Sequence, residues 1–401
     1  MVLRRVKRIK HRSRRNKINS KSSYDYYMTI LIVGCGLSGA VIAEQYATRT
    51  GKKVLIIDKR EHIGGNVYDS LDTETGIRVS KYGAHLFHTN DEDVWNYVNK
   101  YSKWTRWDHQ VLGHVDGKLI NIPVNINTVN ALCAENIRTS SEMDQWLLEN
   151  QEQYITKNIE NSEQMAKSRV GSLLYDKIFK HYTYKQWAKY PEELDASVLA
   201  RIPIRNDFDN RYFSDRYQAL PTDGYTNLIE NIIKHKQITV KLGIDFGKMT
   251  DEEKNQYETI IYTGPIDAYF ENLGLEKLEY RSINFVTETH KNTRFYQPGS
   301  VVNYPESAVP YTRIVEYKHF LNQTSNDTII VKEYTTDVGE PYYPIPNKRN
   351  MDLYEKYKEM TRDQSKVHFI GRLANYKYFN MDAAIRNALD YFEDKLINVA
   401  L

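Results

Sequence analysis

Gly34, Gly36 and Gly39 form G-x-G-x-x-G in "IVGCGLSG", and Asp58 ends an apolar run 24 residues after Gly34. The spacing suits a ligand that needs bare backbone. The first glycine permits a tight turn, the second lets phosphate oxygens reach the main chain, and the third lets a helix pack on its strand. Leu37 and Ser38 sit in the same turn, where the helix start offers unpaired N–H groups and partial positive charge. Asp58, followed by Lys59 and Arg60, is placed to accept from a ribose hydroxyl. A second bare segment, Gly64-Gly65 followed by Asn66, begins six residues after the acid. Alone it is an ordinary turn. Beside a dinucleotide motif it lets another stretch of backbone approach something large.

His85 and His88 in "GAHLFHT" are three apart. A metal pair is conceivable, but no further His/Cys/Asp cluster supports it, so no metal is expected. No acid–base pair stands out either. A Rossmann motif, an acid and then a glycine pair resemble FAD proteins more than nicotinamide dehydrogenases. The late stretch "KVHFIGRLANYKYFNM" fits this reading as a strand, a glycine turn and a helix start. It would return Arg372 to the flavin ring, where a guanidinium and a helix N-terminus favour the anionic, reduced form.

These residues need elements to hold them. "MTILIV" reads as a buried strand, "LSGAVIAEQYATRT" as a helix stopped by Gly51, and "KKVLIID" as a second buried strand, a βαβ unit. From about Val124 to Pro191 the text is helical and polar, a helical insertion. Residues 188–207 carry two prolines and weak periodicity, and predict a loop able to move. "KQITVKLGIDF" and "ETIIYTG" extend the α/β sheet. "RSINFVTETH", "YTRIVEYKHF" and "DTIIVKEYTT" predict an antiparallel one. "MDAAIRNALDYFEDKLINVAL" is a closing helix.

Charge is unevenly distributed. Residues 1–27 hold ten Lys/Arg and one acid, Asp25, leaving 45 basic against 51 acidic residues over 28–401. The extension has no apolar core, so it is not a secretory signal. It is expected to be a disordered, solvated tail, and Met28, just before the first strand, is a candidate start. No apolar run is long enough to span a membrane. Two cysteines, Cys35 and Cys133, give no disulfide framework and fit a reducing, cytoplasmic setting. Neither a nucleic-acid nor a membrane partner is expected.

From Thr29 to the closing helix the chain resembles the bacterial UDP-galactopyranose mutases. The motifs are "HIGGNVY", "KYGAHLFHTNDEDVWNYVN", "YTYKQW", "RIPIRNDFDNRYFSDRYQALPTDGYT", "IIYTGPID", "LEYRS", "VPYTRIVEYKHF", "EPYYPIPN" and "GRLANYKYFNM", all in order. The resemblance implies an enzyme that interconverts UDP-galactopyranose and UDP-galactofuranose with no net redox change. In that family N5 of reduced FAD attacks the anomeric carbon, UDP leaves, and a flavin–sugar iminium lets the ring reclose. The resemblance further implies Arg201 and Arg313 as the diphosphate arginines. Guanidinium forks suit phosphate better than lysine does. It implies Tyr182, Tyr212, Tyr342, Tyr343 and Tyr378 at the substrate, Phe179 stacked on uracil, Thr183 and Trp187 lining the pocket, and Asn303 at the nucleotide. His85, or else His88, would lie beside the flavin. One departure is Asn380, where the family carries an acid. Asn380 is expected to cap the closing helix, next to Met381, with one charge fewer near the cofactor.

The fold implied is α/β: a discontinuous Rossmann-like FAD-binding domain (28–110, 225–270 and 360–401), a helical domain (124–200, with the 188–207 loop), and an antiparallel β-sheet substrate domain (111–123, 208–224 and 271–359). A homo-oligomer, most often a dimer in the family, is expected. Two other classes stay open. An amine-oxidase-like flavin oxidoreductase would need an apolar or amine-binding pocket. A protein binding nucleic acid or a surface through its basic tail would not need the glycine motif.

Overall fold

Residues 29–152 and 159–397 are described by a computed structural model; the tail expected over 1–27 lies outside them. The apolar runs do what continuous apolar runs do in α/β proteins and pair in parallel, buried on both faces. Five strands form one sheet in the order 238–242, 53–58, 29–33, 259–262 and 367–369, every pairing parallel. The first helix, Leu37–Arg49, and the last, Met381–Tyr391, cover one face together. Fully buried Tyr46 meets Phe392 edge-on there, ring centroids 5.1 Å apart. The other face is closed by Tyr262, Phe270, Phe369 and Tyr357. Tyr357 lies on the helix Lys348–Met360, in a segment expected to belong with the substrate sheet. Its apolar stripe instead completes the nucleotide-binding core.

The second sheet has seven strands, in the order 343–344, 280–290, 328–336, 313–316, 301–303, 111–115 and 118–122. It differs from the expected antiparallel sheet at one joint, where 301–303 runs parallel to 111–115. The chain between those strands passes through the inserted helices and two of the five strands of the first sheet, long enough for a parallel crossover. Residues 208–224 do not join this sheet by a strand. Tyr217–Pro221 is the centre of a separate three-stranded sheet with Phe87–Thr89 and Trp104–Arg106. Stacking of Tyr217 on Trp95, centroids 4.8 Å apart, helps hold it there.

The inserted helices start on sequence-encoded caps: Asn125, Thr139 and Asn161 each accept from a first-turn N–H. The helix from Ser162 breaks at Gly171 (φ +76) and continues as a π-helical turn, Tyr175–Lys180, into His181–Trp187. Over 188–207 the chain forms two single helical turns. Leu194 and Val198 pack with Trp187 and Ile345 in a small core of their own.

Candidate active site

Gly34 (φ +107) directly follows the first strand, and a Cβ on Gly39 would collide with the Gly34 carbonyl oxygen. Helix and turn therefore touch, as the third glycine requires. Gly36 caps the helix without a side chain, which leaves its first N–H groups open to the cleft. Asp58 is buried; one carboxylate oxygen accepts from the Cys35 N–H at 2.8 Å and the other from the Arg60 N–H at 2.9 Å. The acid expected for a ribose thus also clamps the glycine turn to the second strand. The glycine pair has a geometric cause. Gly64 and Gly65 both have positive φ, the Gly64 N–H donates to the Cys35 carbonyl at 2.8 Å, and a Cβ on Gly65 would lie 2.9 Å from the Gly36 Cα. Two bare turns lie against each other and form one wall.

That wall is one end of a continuous cleft of about 1720 Å³. Leu37, Ser38, Lys59, Arg60 and Asn66 line it there. Lys59 pairs with Glu340 at 2.8 Å, and Arg60 donates to Asn66 at 3.0 Å. The helical insertion contributes Phe179, Tyr182 and Trp187, and the chain after it Arg201 and Tyr212. The seven-stranded sheet adds Asn303, Arg313 and Tyr343, and the C-terminal return adds Arg372, Tyr378, Asn380 and Met381. Thr183 and Tyr342 do not line the cleft. Thr183 is buried within its helix, and Tyr342 packs against Tyr82 and Phe285. Asn380 is at the N-cap of the last helix, but its side chain makes no capping bond, contrary to expectation. Only its carbonyl enters the helix, accepting from the Ala384 N–H at 3.0 Å.

Three guanidiniums converge where the sheet meets the C-terminal return. Arg201 lies 4.4 Å and Arg372 4.5 Å from the Tyr378 ring centroid, and Arg372 lies 4.7 Å from that of Tyr343. Arg372 Nε and Nη2 are buried with no hydrogen-bond partner among the described residues. Arg313 donates through Nε to Glu333 at 2.8 Å, the residue directly opposite on the next strand. This pair holds the arginine by one edge and leaves its other nitrogens for a ligand. Burial alone would raise the Tyr378 phenol; Arg201 and Arg372 outweigh it and pull the phenol down to about 8. Burial and the neighbouring Tyr378 push Tyr343 up to about 12. Asn303 Oδ1 is also buried without a partner among the described residues. Unpaired buried donors and acceptors of this kind are costly unless a ligand meets them.

His85 and His88 both line the cleft but differ in setting. His85 Nδ1 is 2.8 Å from the Gly83 carbonyl, so Nδ1 carries the proton and Nε2 is a bare acceptor. Burial pushes its pKa down to about 4, which keeps it neutral. His88 stacks on Phe213 at 3.7 Å, with Nδ1 3.0 Å from Asp215. Among the described residues no group of three His, Cys, Asp or Glu is arranged to hold a metal.

Sequence reasoning missed residues in and behind the cleft wall. Buried Glu333 does not line the cleft but holds Arg313 there, and it is fixed only by strand register, although "KEYTT" opposite "TRIVE" in an antiparallel pair could have signalled it. His109, pushed down to about 3 by burial, and Arg281 line the wall, and no local motif marks either. Phe179 reaches the cleft from the π-helical turn, a distortion that recurs at functional sites and that periodicity does not encode.

The fold and the cleft define a Rossmann-type, dinucleotide-binding enzyme with a second ligand region walled by arginines and tyrosines. The Rossmann half, residues 32–101, matches the family model of NAD(P)-binding Rossmann-like domains, and residues 177–378 match the UDP-galactopyranose mutase model. The chain is 39% identical to a probable UDP-galactopyranose mutase of Klebsiella pneumoniae over 92% of its own length and 95% of that protein's. It is 36% identical to a dTDP-fucopyranose mutase of Escherichia coli, covering 90% and 96%. A crystal structure of reduced UDP-galactopyranose mutase superposes with a TM-score of 0.72 at 18% identity, covering 91% and 95%. The chain belongs to the UDP-galactopyranose mutase family, a family of isomerases.

Proposed function

We propose that this chain interconverts UDP-galactopyranose and UDP-galactofuranose on a bound, reduced FAD. One observation carries the reading. Arg201, Arg313 and Arg372 converge with Tyr182, Tyr212, Tyr343 and Tyr378 in the same cleft that the glycine turns open. An elongated dinucleotide fits the residues present. The touching turns at Gly36 and Gly65 leave room only for backbone, the first helix presents its N–H groups, and Arg372 has free buried donors. Gly34, Gly36, Leu37, Ser38, Gly39, Asp58, Lys59, Arg60, Gly65, Asn66, His85, Arg372, Asn380 and Met381 would hold it.

When bound, reduced flavin supplies the nucleophile for the anomeric carbon. The chain's own residues do the rest. Arg201 and Arg313 take the diphosphate, and their charge stabilises UDP as it departs and holds it for return. The tyrosines donate to phosphate oxygens, and their rings exclude water. Phe179 stacks on the base, and Asn303 Oδ1 accepts from a nucleotide N–H or hydroxyl. His85, neutral with a bare Nε2, accepts a hydrogen bond on the cofactor side.

A second reading keeps the chemistry and changes the substrate to a dTDP-6-deoxyhexose. The relative named dTDP-fucopyranose mutase, nearly as similar as the UDP-galactose one, favours considering it. An amine-oxidase-like oxidoreductase fits poorly, because its pocket would not need three arginines. The enzyme is read as a cytoplasmic homodimer. Among the described residues no helix is long and apolar enough to cross a membrane.

The test is anaerobic incubation of oxidised and dithionite-reduced enzyme with UDP-galactofuranose and, separately, dTDP-fucofuranose. UDP-galactopyranose formed only by the reduced enzyme, with the flavin still reduced afterwards, supports the first reading. Turnover of the dTDP sugar alone moves the assignment to the second. Flavin reoxidation stoichiometric with product would overturn both.

A further inference from the structure

Lys185 lies on the helix His181–Trp187, between the cleft residues Tyr182 and Trp187, yet its side chain turns away from the cleft. Its ammonium donates to the main-chain carbonyls of Tyr304, Glu306 (3.0 Å), Val309 (2.9 Å) and Tyr311 (3.1 Å). An ammonium has three N–H bonds and no acceptor. Four carbonyls around it form a ring of the kind that usually surrounds a small cation. The nearest acid, Glu306, is turned elsewhere, accepting from the Asp116 N–H at 2.8 Å. The loop drawn in by these bonds is the connection between Asn303 and Arg313. It closes on itself where the Tyr304 N–H meets the Thr312 carbonyl at 2.8 Å. The helix is tied from its other side through the backbone. The Lys185 carbonyl accepts from the Thr335 hydroxyl, and the Gln186 carbonyl from Arg281 Nε at 3.3 Å.

We propose that Lys185 is a positioning residue that, through this ring of carbonyls, sets the distance between the aromatic wall of the site (Phe179, Tyr182 and Trp187) and the hairpin that carries Asn303 and Arg313. Without the ammonium, the carbonyl oxygens of Tyr304, Val309 and Tyr311 converge with no donor among the described residues, that of Glu306 keeps only the Val309 N–H at 3.2 Å, and the loop has to open to find water. Arg313, two residues beyond Tyr311, moves with it, while its own ion pair with Glu333 stays intact. The consequence falls on diphosphate binding rather than on folding or flavin retention. The inference rests on the reading of Arg313 as a diphosphate ligand.

The experiment uses the flavin-loaded enzyme and UDP as the probe. In a Cys133→Ser background, Lys185→Cys is measured before and after alkylation with 2-bromoethylamine, which rebuilds an ammonium at lysine length; Cys35 is fully buried. The expected result is UDP affinity lowered about tenfold in the cysteine form, KM raised in parallel and kcat within about twofold. Flavin content is unchanged, and alkylation restores affinity. Wild-type UDP affinity in the cysteine form overturns the proposal, and so does lost affinity that alkylation does not restore. If Lys185→Cys does not fold, Lys185→Gln, which keeps two N–H donors without the charge, replaces it, and wild-type UDP affinity or lost flavin in that variant overturns the proposal. Arg313→Ala, run in parallel, separates the two claims: undiminished UDP affinity there would overturn the reading of Arg313 itself.

Discussion

Tyr343 and Tyr378 stack with ring centroids 5.6 Å apart and planes 13° from parallel. One comes from the seven-stranded sheet and the other from the C-terminal return, so the stack closes the cleft between the two halves of the molecule. Arg201 and Arg372 sit against it and lower the Tyr378 phenol, while burial and Tyr378 itself raise that of Tyr343. Tyr378 is drawn down to about 8 and Tyr343 is pushed up to about 12.

The first prediction follows from that division. A depressed phenol is charged above its pKa, so the phenolate–arginine attraction is complete at high pH and is lost as pH falls through about 8. Diphosphate brought to the same arginines competes with the phenolate. UDP binding should therefore take up a proton near pH 8, and UDP affinity should weaken as pH rises through that value. Calorimetry in buffers of different ionisation enthalpy measures the uptake, and Tyr378→Phe should abolish it. Absence of tyrosinate absorbance at 295 nm until the ordinary phenol range would show that the arginines do not act on Tyr378.

Arg201→Ala and Arg313→Ala should each lower kcat/KM by about ten- to a hundredfold or more, the scale of a lost charged hydrogen bond. Flavin content should not change. Glu333→Gln should lower it less, because Arg313 keeps a neutral acceptor at Nε. Retention of wild-type turnover by either arginine variant would remove it from the diphosphate site.

Gly65→Ala should yield protein that folds but binds flavin poorly. Its Cβ would come within 2.9 Å of the Gly36 Cα, and the two turns would have to separate. Gly51→Ala is the control. It shares the positive φ, at +68, but nothing lies within 4 Å of its Cβ, so the cost should be only the backbone term of about 1 kcal/mol. Equal flavin content in the two variants would argue against close packing as the reason for the glycine pair.

Deleting residues 1–27 should leave kcat, KM and flavin content unchanged, since every residue assigned to the cleft lies beyond them. Loss of activity in the truncated enzyme would give the tail a catalytic part.

The sequence by itself determined what local chemistry can specify. Glycines at fixed spacing mark a turn that only glycine can make, and continuous apolar runs mark buried parallel strands. Asn125, Thr139 and Asn161 announce helix starts. Most of the residues that the long motifs imply for the cleft do line it, with Thr183 and Tyr342 the exceptions, while His109 and Arg281 line it unmarked by any motif. Thr183 and Tyr342 lie next to true lining residues, and a shift of one position turns a side chain to the other side of its element. The tertiary structure decided what depends on partners distant in sequence. Strand register set Glu333 opposite Arg313, although 20 residues separate them. It also carried Tyr217–Pro221 to a sheet with Phe87 and Trp104, and gave the helix Lys348–Met360 to the nucleotide-binding core. The glycine pair shows the division most directly. The sequence shows that backbone is needed there, but only the fold reveals that it meets another backbone, because close approach is a property of two segments and neither contains it alone.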